Sequence, residues 1–209
     1  MSETTIRLEP MHPQHTAALI ELLIPAFRNH FKVCQNLTDE QLRLLFEKRL
    51  ASSFEDASTH RIIALEGDKV VGTVCLKWKP EYDQAKVKNS FFSKEMMALL
   101  GQWEFFKLAL SLHLVKHDPA LQECYIADIA LHPDHQAQGI ESLLIQWAHD
   151  FAKNDSRFDL LTLHVTDKNK DASRLYEKFF FKTCLQKSSF TRTVLFDDYR
   201  WNYMTLPLK

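Results

Sequence analysis

The chain has 209 residues, 26 lysines and arginines against 27 acids, and 45% hydrophobic residues. That balance suits a globular chain with a full core and argues against a nucleic-acid binder held by bulk charge. No run of about 18 apolar residues is present, so no membrane span is expected.

The four cysteines, Cys34, Cys75, Cys124 and Cys184, are scattered and form no CxxC pair. That pattern suits a reducing cytoplasm and offers no metal-ligand spacing. The first ten residues carry no apolar signal core, so a cytoplasmic location is expected. Residues 1–209 are expected to form one domain.

Thr5 to Leu8 alternates as a first strand. His15 to Phe31 carries Ala18, Leu19, Leu22, Leu23, Ala26 and Phe27 at helical spacing. Thr38 with Gln41 reads as a capping box for a second helix, which should run to about Phe54 and bury Leu42, Leu45, Phe46 and Leu50. Arg61–Glu66 and Lys69–Lys77 read as strands joined at Gly67-Asp68, a two-residue hairpin signal. Gly72 inside the second strand suggests a bulge or a close backbone approach.

Residues 90–117 are rich in Phe, Met, Leu and Trp but interrupted by charge, which predicts two helices broken near Gly101. Two readings stay open for them: extra core or a dimer interface, and a cover over a substrate. His113 and His117 are four apart, but no third metal ligand is in view.

Tyr125 to Leu131 is β-branched and apolar around one charge, Asp128. His132-Pro133-Asp134 ends that strand, because proline gives no N–H to a sheet. Ile140, Leu143, Leu144, Trp147, Ala148 and Phe151 then fall on one helical face. Strand, polar loop and helix follow in order, with Gly139 at the helix start. The first N–H groups of a helix lack internal partners and carry positive partial charge. Gln136 to Glu141 is therefore a candidate diphosphate-binding loop, although strand–loop–helix units are common.

Phe158–Val165 reads as a further strand, Ala172–Phe179 as a helix, and Phe181–Phe196 with Trp201–Leu208 as a closing antiparallel pair turning at Asp197-Asp198.

The segment L-H-P-D-H-Q-A-Q-G-I-E-S-L-L resembles the acetyl-CoA motif of the GNAT superfamily of N-acetyltransferases, Arg/Gln-x-x-Gly-x-Gly/Ala. Gln136, Gly139 and Ile140 match. Ala137 stands where glycine is frequent, and Glu141 where glycine or alanine is usual. A second stretch, Asn169 to Phe181, is similar to the family's N-x-x-A-x-x-L-Y-E-K-x-G-F, with Phe180 in place of the glycine. Tyr203-Met204-Thr205-Leu206 resembles the closing strand of many members.

The resemblance covers roughly Ile62 to Leu206. It implies an α/β (α+β) fold: a mixed, mostly antiparallel sheet of six to seven strands, splayed between strands 4 and 5, with helices on both faces. The helical insert would lie between strands 3 and 4.

It also implies an acetyl-CoA-dependent N-acetyltransferase, with no metal. The acceptor would be a small-molecule or peptide amine, with no nucleic acid or membrane as partner. A homodimer through 90–117 or the C-terminal strands is possible. Gln136, Ala137, Gln138, Gly139, Ile140 and Glu141 would hold the diphosphate. The backbone of Ile129, Ala130 and Leu131 would pair with the pantetheine arm. Asn169 would bond that arm, unless it only caps its helix.

Tyr176 is the expected general acid, since a phenol of pKa about 10 stays protonated at neutral pH; the other reading is a core tyrosine. Asp128 is the expected base, unless an arginine or loop N–H groups pair with it; Glu123 or a water chain is the reserve. The loop between the first two helices, near Asn29 to Asn36, would line the acceptor site. Glu141 is the main discord, since a carboxylate beside a diphosphate repels it. A GNAT-fold protein of weakened catalysis, serving as a CoA-binding or interaction module, is the alternative function.

Overall fold

The computed structural model describes residues 5–30, 35–54, 56–80, 94–188 and 200–209. Seven strands form one mixed sheet: β1 Ile6–Pro10, β2 Thr59–Glu66, β3 Lys69–Trp78, β4 Glu123–Leu131, β5 Leu160–Thr166, β6 Lys182–Ser188 and β7 Arg200–Pro207. Their order is β1-β2-β3-β4-β5-β7-β6, antiparallel throughout except for the parallel pair β4–β5. This is the expected architecture, with seven strands.

Among the described residues six α-helices flank the sheet: α1 Thr16–His30, α2 Asp39–Phe54, α3 Lys94–Leu100, α4 Gln102–Val115, α5 Ile140–Asn154 and α6 Lys170–Lys178. One face of the sheet packs on α5 and α6 through Ile140, Leu144, Ile145, Ala148 and Tyr176. The other packs on α1 and α2, joined by Met96, Leu100 and Leu108 of the insert.

Each element follows from its sequence. In α1 the buried face is Leu19, Ile20, Leu22, Leu23 and Ile24, while Ala18 is exposed, so the stripe is rotated slightly from the expected one. The Thr38 hydroxyl accepts from the Gln41 N–H at 3.2 Å, and the Gln41 side chain accepts from the Thr38 N–H at 3.0 Å. These reciprocal bonds start α2, which buries Leu42, Leu45, Phe46 and Leu50. Gly101, at φ +78°, breaks the insert into α3 and α4. Residues 31–34 of the expected acceptor loop, and the Asp197-Asp198 turn, lie outside the described residues.

Gly72 satisfies both readings. The β2–β3 register shifts beside it, between Ala64 and Leu65. An added Cβ would sit 2.8 Å from Leu131 Cδ2 and 3.2 Å from Leu144 Cδ1. A side chain there would have to push the Leu131 and Leu144 methyls aside where β3, β4 and the first turns of α5 meet.

α6 ends in a Schellman turn. Phe181 N–H donates to the Tyr176 carbonyl at 3.1 Å and Phe180 N–H to the Glu177 carbonyl at 2.9 Å. Phe181 is buried, and its ring meets Tyr176 edge-on at 5.9 Å. Phe180 occupies the left-handed position at φ +66° and is 78% exposed. Side chains are strained there by about 1–2 kcal/mol, and this is where the family motif carries glycine. Phe180→Gly should therefore raise the unfolding free energy by about 0.5–1 kcal/mol, part of the relief being offset by the flexibility glycine adds to the unfolded chain. Urea denaturation would measure it.

Candidate active site

The sheet opens between β4 and β5. Pairing runs only from Glu123–Leu160 to Ile126–Leu163. On one side β4 continues along β3 to Leu131, and on the other β5 continues along β7 to Thr166. The opening begins at Ala127, which the register shift against Cys75 and Leu76 leaves without a partner on β3. A bulge strengthens local twist and redirects a strand. Ile129, Ala130 and Leu131 therefore line one edge of the gap.

Beyond that edge, Pro133–His135 forms a single 3-10 turn. His135 is buried and meets Glu66 of β2 at 3.0 Å. Gln138 donates to the Asp134 carbonyl at 3.0 Å. These contacts brace the loop through side chains and leave its backbone unspent: no described residue accepts from the N–H groups of Ala137 through Ser142.

Gln136, Ala137, Gln138 and Gly139 are exposed. Gly139 is the N-cap of α5 at φ +81°, with no side-chain cap and nothing within 4 Å of where a Cβ would stand. Its requirement is conformational: space is open on that side. Ala137 is also left-handed, at φ +60°, which explains why glycine suits that motif position.

Glu141, in the first turn of α5, is half-buried, and desolvation raises its pKa above the usual carboxylate value. Tyr176 is buried, and its phenol is raised by burial first and by Glu141 and Tyr125 after that. The two motifs therefore converge: α6 brings Tyr176 close enough to the α5 N-terminus to feel its carboxylate. Among the described residues the Tyr176 hydroxyl has no hydrogen-bond partner.

Asn169 is exposed and is the N-cap of α6, its side-chain oxygen accepting from the Ala172 N–H at 3.2 Å. That is the capping role; the amide nitrogen is left for other partners.

Asp128 has the arginine partner weighed as its alternative. Arg61 Nη1 and Nη2 meet its two oxygens at 2.6 and 2.7 Å, and Nη1 also reaches Thr73 Oγ1 at 3.2 Å. A carboxylate held on both oxygens by a guanidinium braces the strand and is poorly placed to collect a substrate proton.

Glu123 differs again. Burial pushes its carboxyl up, but hydrogen bonds from His117, Thr162 and the Ala120 N–H outweigh burial and hold it at about 2. It is an anchor of low basicity.

Sequence reasoning missed the group around Glu123. Tyr203 donates to it at 2.9 Å, and the rings of His117, Tyr125, His164 and Tyr203 lie 4.4–5.7 Å apart. The signal was available. Glu123 and Tyr125, Thr162 and His164, and Tyr203 and Thr205 are polar at period two on three strands, which puts them on one face. His117 lies past the end of α4; the His113 side chain lies outside those described. Among the described residues no group of three or more His, Cys, Asp and Glu could hold a metal ion.

Comparison with known proteins agrees with this geometry. The family model described as acetyltransferase (GNAT) family matches residues 16–181. No curated protein matches the chain in sequence. Among solved structures, the chain is similar to the ribosomal-protein-S18-alanine N-acetyltransferase of Escherichia coli, at 13% identity and a TM-score of 0.60, covering 98% of this chain and 95% of that one. It is also similar to a spermidine/spermine N-acetyltransferase of Vibrio cholerae, at 14% identity and a TM-score of 0.58, covering 97% and 92%. At such identities the likeness is one of fold.

Proposed function

Because the chain belongs to the acetyltransferase (GNAT) family, we propose that it is an N-acetyltransferase that moves the acetyl group of acetyl-CoA to a primary amine by direct attack in a ternary complex. The observation that carries this reading is the wedge between β4 and β5, one of whose edges runs into an exposed loop of unspent N–H groups.

In this reading Ile129, Ala130 and Leu131 pair with the pantetheine arm as a strand would, and Gln136 to Glu141 receive the diphosphate. The Asn169 amide nitrogen bonds the arm. Tyr176, which burial keeps protonated, gives the leaving sulfur its proton. The cofactor supplies an activated acetyl group. The chain's own residues orient it and manage protons.

Direct attack is favoured over a covalent relay through Cys75 or Cys124, which are buried and whose thiols are pushed up by desolvation, Cys75 to about 11 and Cys124 to about 12. Such thiols are poor nucleophiles. Free cysteines also suit a cytoplasmic setting. A homodimer through the insert would draw on Trp103 and Phe106, which are exposed on α4.

Calorimetric titration with acetyl-CoA, followed by CoA-release assays over a panel of amines, tests the proposal; absence of both binding and turnover would overturn it. Glu141 sets the expected affinity. Two unit charges 4 Å apart repel by about 1 kcal/mol in water and about 4 kcal/mol at an effective dielectric of 20. Glu141→Gln should tighten acetyl-CoA binding by about tenfold, and an unchanged Kd would show that its carboxylate swings clear. The same carboxylate favours a second reading, a CoA-binding module without turnover, which binding with no CoA release for any amine would select.

A further inference from the structure

We propose that His117, oriented by Glu123, is the base that takes a proton from the acceptor ammonium. This rests on the acetyltransferase reading above and adds to it a residue outside the two family motifs.

The tautomer follows from hydrogen-bond chemistry. His117 Nε2 lies 2.7 Å from Glu123 Oε1. An ionised carboxylate only accepts, so Nε2 carries the hydrogen and Nδ1 keeps its lone pair. Glu123 is fixed in turn: Oε1 also accepts from Thr162 and from the Tyr203 hydroxyl at 2.9 Å, and Oε2 from the Ala120 N–H at 2.7 Å. The anion is thus buried, immobile and aimed at one ring, the arrangement that stabilises an imidazolium when it forms.

Nδ1 has no partner among the described residues, and the His117 side chain is 21% exposed. The ring packs against Tyr125 of β4 at 4.4 Å, His164 of β5 at 5.1 Å and Tyr203 of β7 at 5.6 Å. Tyr125 lies beside the last β4–β5 pair and His164 just past it. His117 therefore stands over the point where the sheet divides.

The charged and titratable groups facing it are Glu123 and Tyr125 from β4, His164 from β5, Tyr203 from β7, and Asp118 of its own segment, which pairs with Lys116 at 2.9 Å. Asp128, by contrast, has both oxygens taken by Arg61.

The step balances. One N–H bond of the ammonium breaks and an Nδ1–H bond forms, and the freed lone pair attacks the thioester carbonyl carbon. The C–S electron pair leaves with sulfur. Tyr176 gives its phenolic proton to the thiolate, and the second proton of the nitrogen passes through water to restore the phenol. His117 returns its proton to water.

The test uses His117→Gln in the full chain. It should lower kcat at pH 7 about 100-fold for an alkylamine and abolish the acid limb of the kcat profile. Acetyl-CoA Kd should not move. An aromatic amine, already neutral at pH 7, needs no base and should lose less than threefold. Glu123→Gln, which removes the charge facing the ring, should move the acid limb of the alkylamine profile to lower pH.

Retention of kcat and its acid limb in His117→Gln would overturn the proposal while wild-type turnover leaves the acetyltransferase reading standing. Equal losses for both amines would make His117 merely structural. A wild type inactive on every amine would sink both.

Discussion

Asp128→Ala is expected to lower the unfolding free energy by about 3 kcal/mol, near the lower end of what breaking a buried ion pair costs. The Arg61 side chain is 9% exposed and Asp128 19%. Burial alone would lower the Arg61 pKa, but the charge of Asp128 outweighs it, so the guanidinium stays charged at every working pH. Removing the carboxylate leaves that charge with only the neutral hydroxyl of Thr73 and the thiol of Cys75 beside it. The Arg61 Nε is already buried without an acceptor, so the site has no reserve of hydrogen bonds.

Arg61→Met combined with Asp128→Leu should recover most of the loss, because two apolar side chains need no counter-ion. Urea denaturation of the four species closes the cycle. A loss below about 1 kcal/mol for Asp128→Ala would show that solvent screens the pair. Asp128→Asn that abolished turnover in a stably folded protein would return the base role to Asp128.

Tyr176→Phe should lower kcat about 100-fold while leaving acetyl-CoA Kd within a factor of two. General acid catalysis is worth roughly 10²–10⁴-fold, and the low figure applies because water can also reach a thiolate. The substitution is clean. Phenylalanine keeps the edge-on contact with Phe181 and the Schellman turn, so stability should change by less than about 1 kcal/mol. Stopped-flow CoA release and calorimetry separate the effects. A variant with kcat within twofold of wild type would make Tyr176 a core residue.

The elements were legible because their patterns are local. The α2 capping box, the Gly101 break, the hairpin at Gly67-Asp68 and most of the α5 stripe each depend on residues within a few positions of one another, although Leu143 of that stripe is exposed and Ile145, outside it, is buried. The two motif mismatches were legible as mismatches. Their meaning needed backbone angles: Ala137 and Phe180 occupy left-handed positions that glycine would fill without strain.

The partners of the charged residues were not legible. Arg61 meets Asp128 across an intervening strand, 67 positions away, and Glu123 gathers donors from Thr162 and Tyr203. Such pairings are set by strand order and register, and local periodicity carries neither. A carboxylate in an apolar strand announces that it needs a partner without naming one.

Among the described residues, four residue pairs, with the Gln122 carbonyl below them, join the β1–β4 half of the sheet to the β5–β7 half along the backbone. The halves are otherwise separate ladders, held together by the side chains of α5 and α6 and by the hydrogen bonds of Glu123 to Thr162 and Tyr203. A molecule threaded into the cleft would serve as the missing rungs of that ladder, so occupancy and cohesion become one variable. Thermal unfolding should then begin along this seam in the free protein and shift elsewhere once the seam is filled.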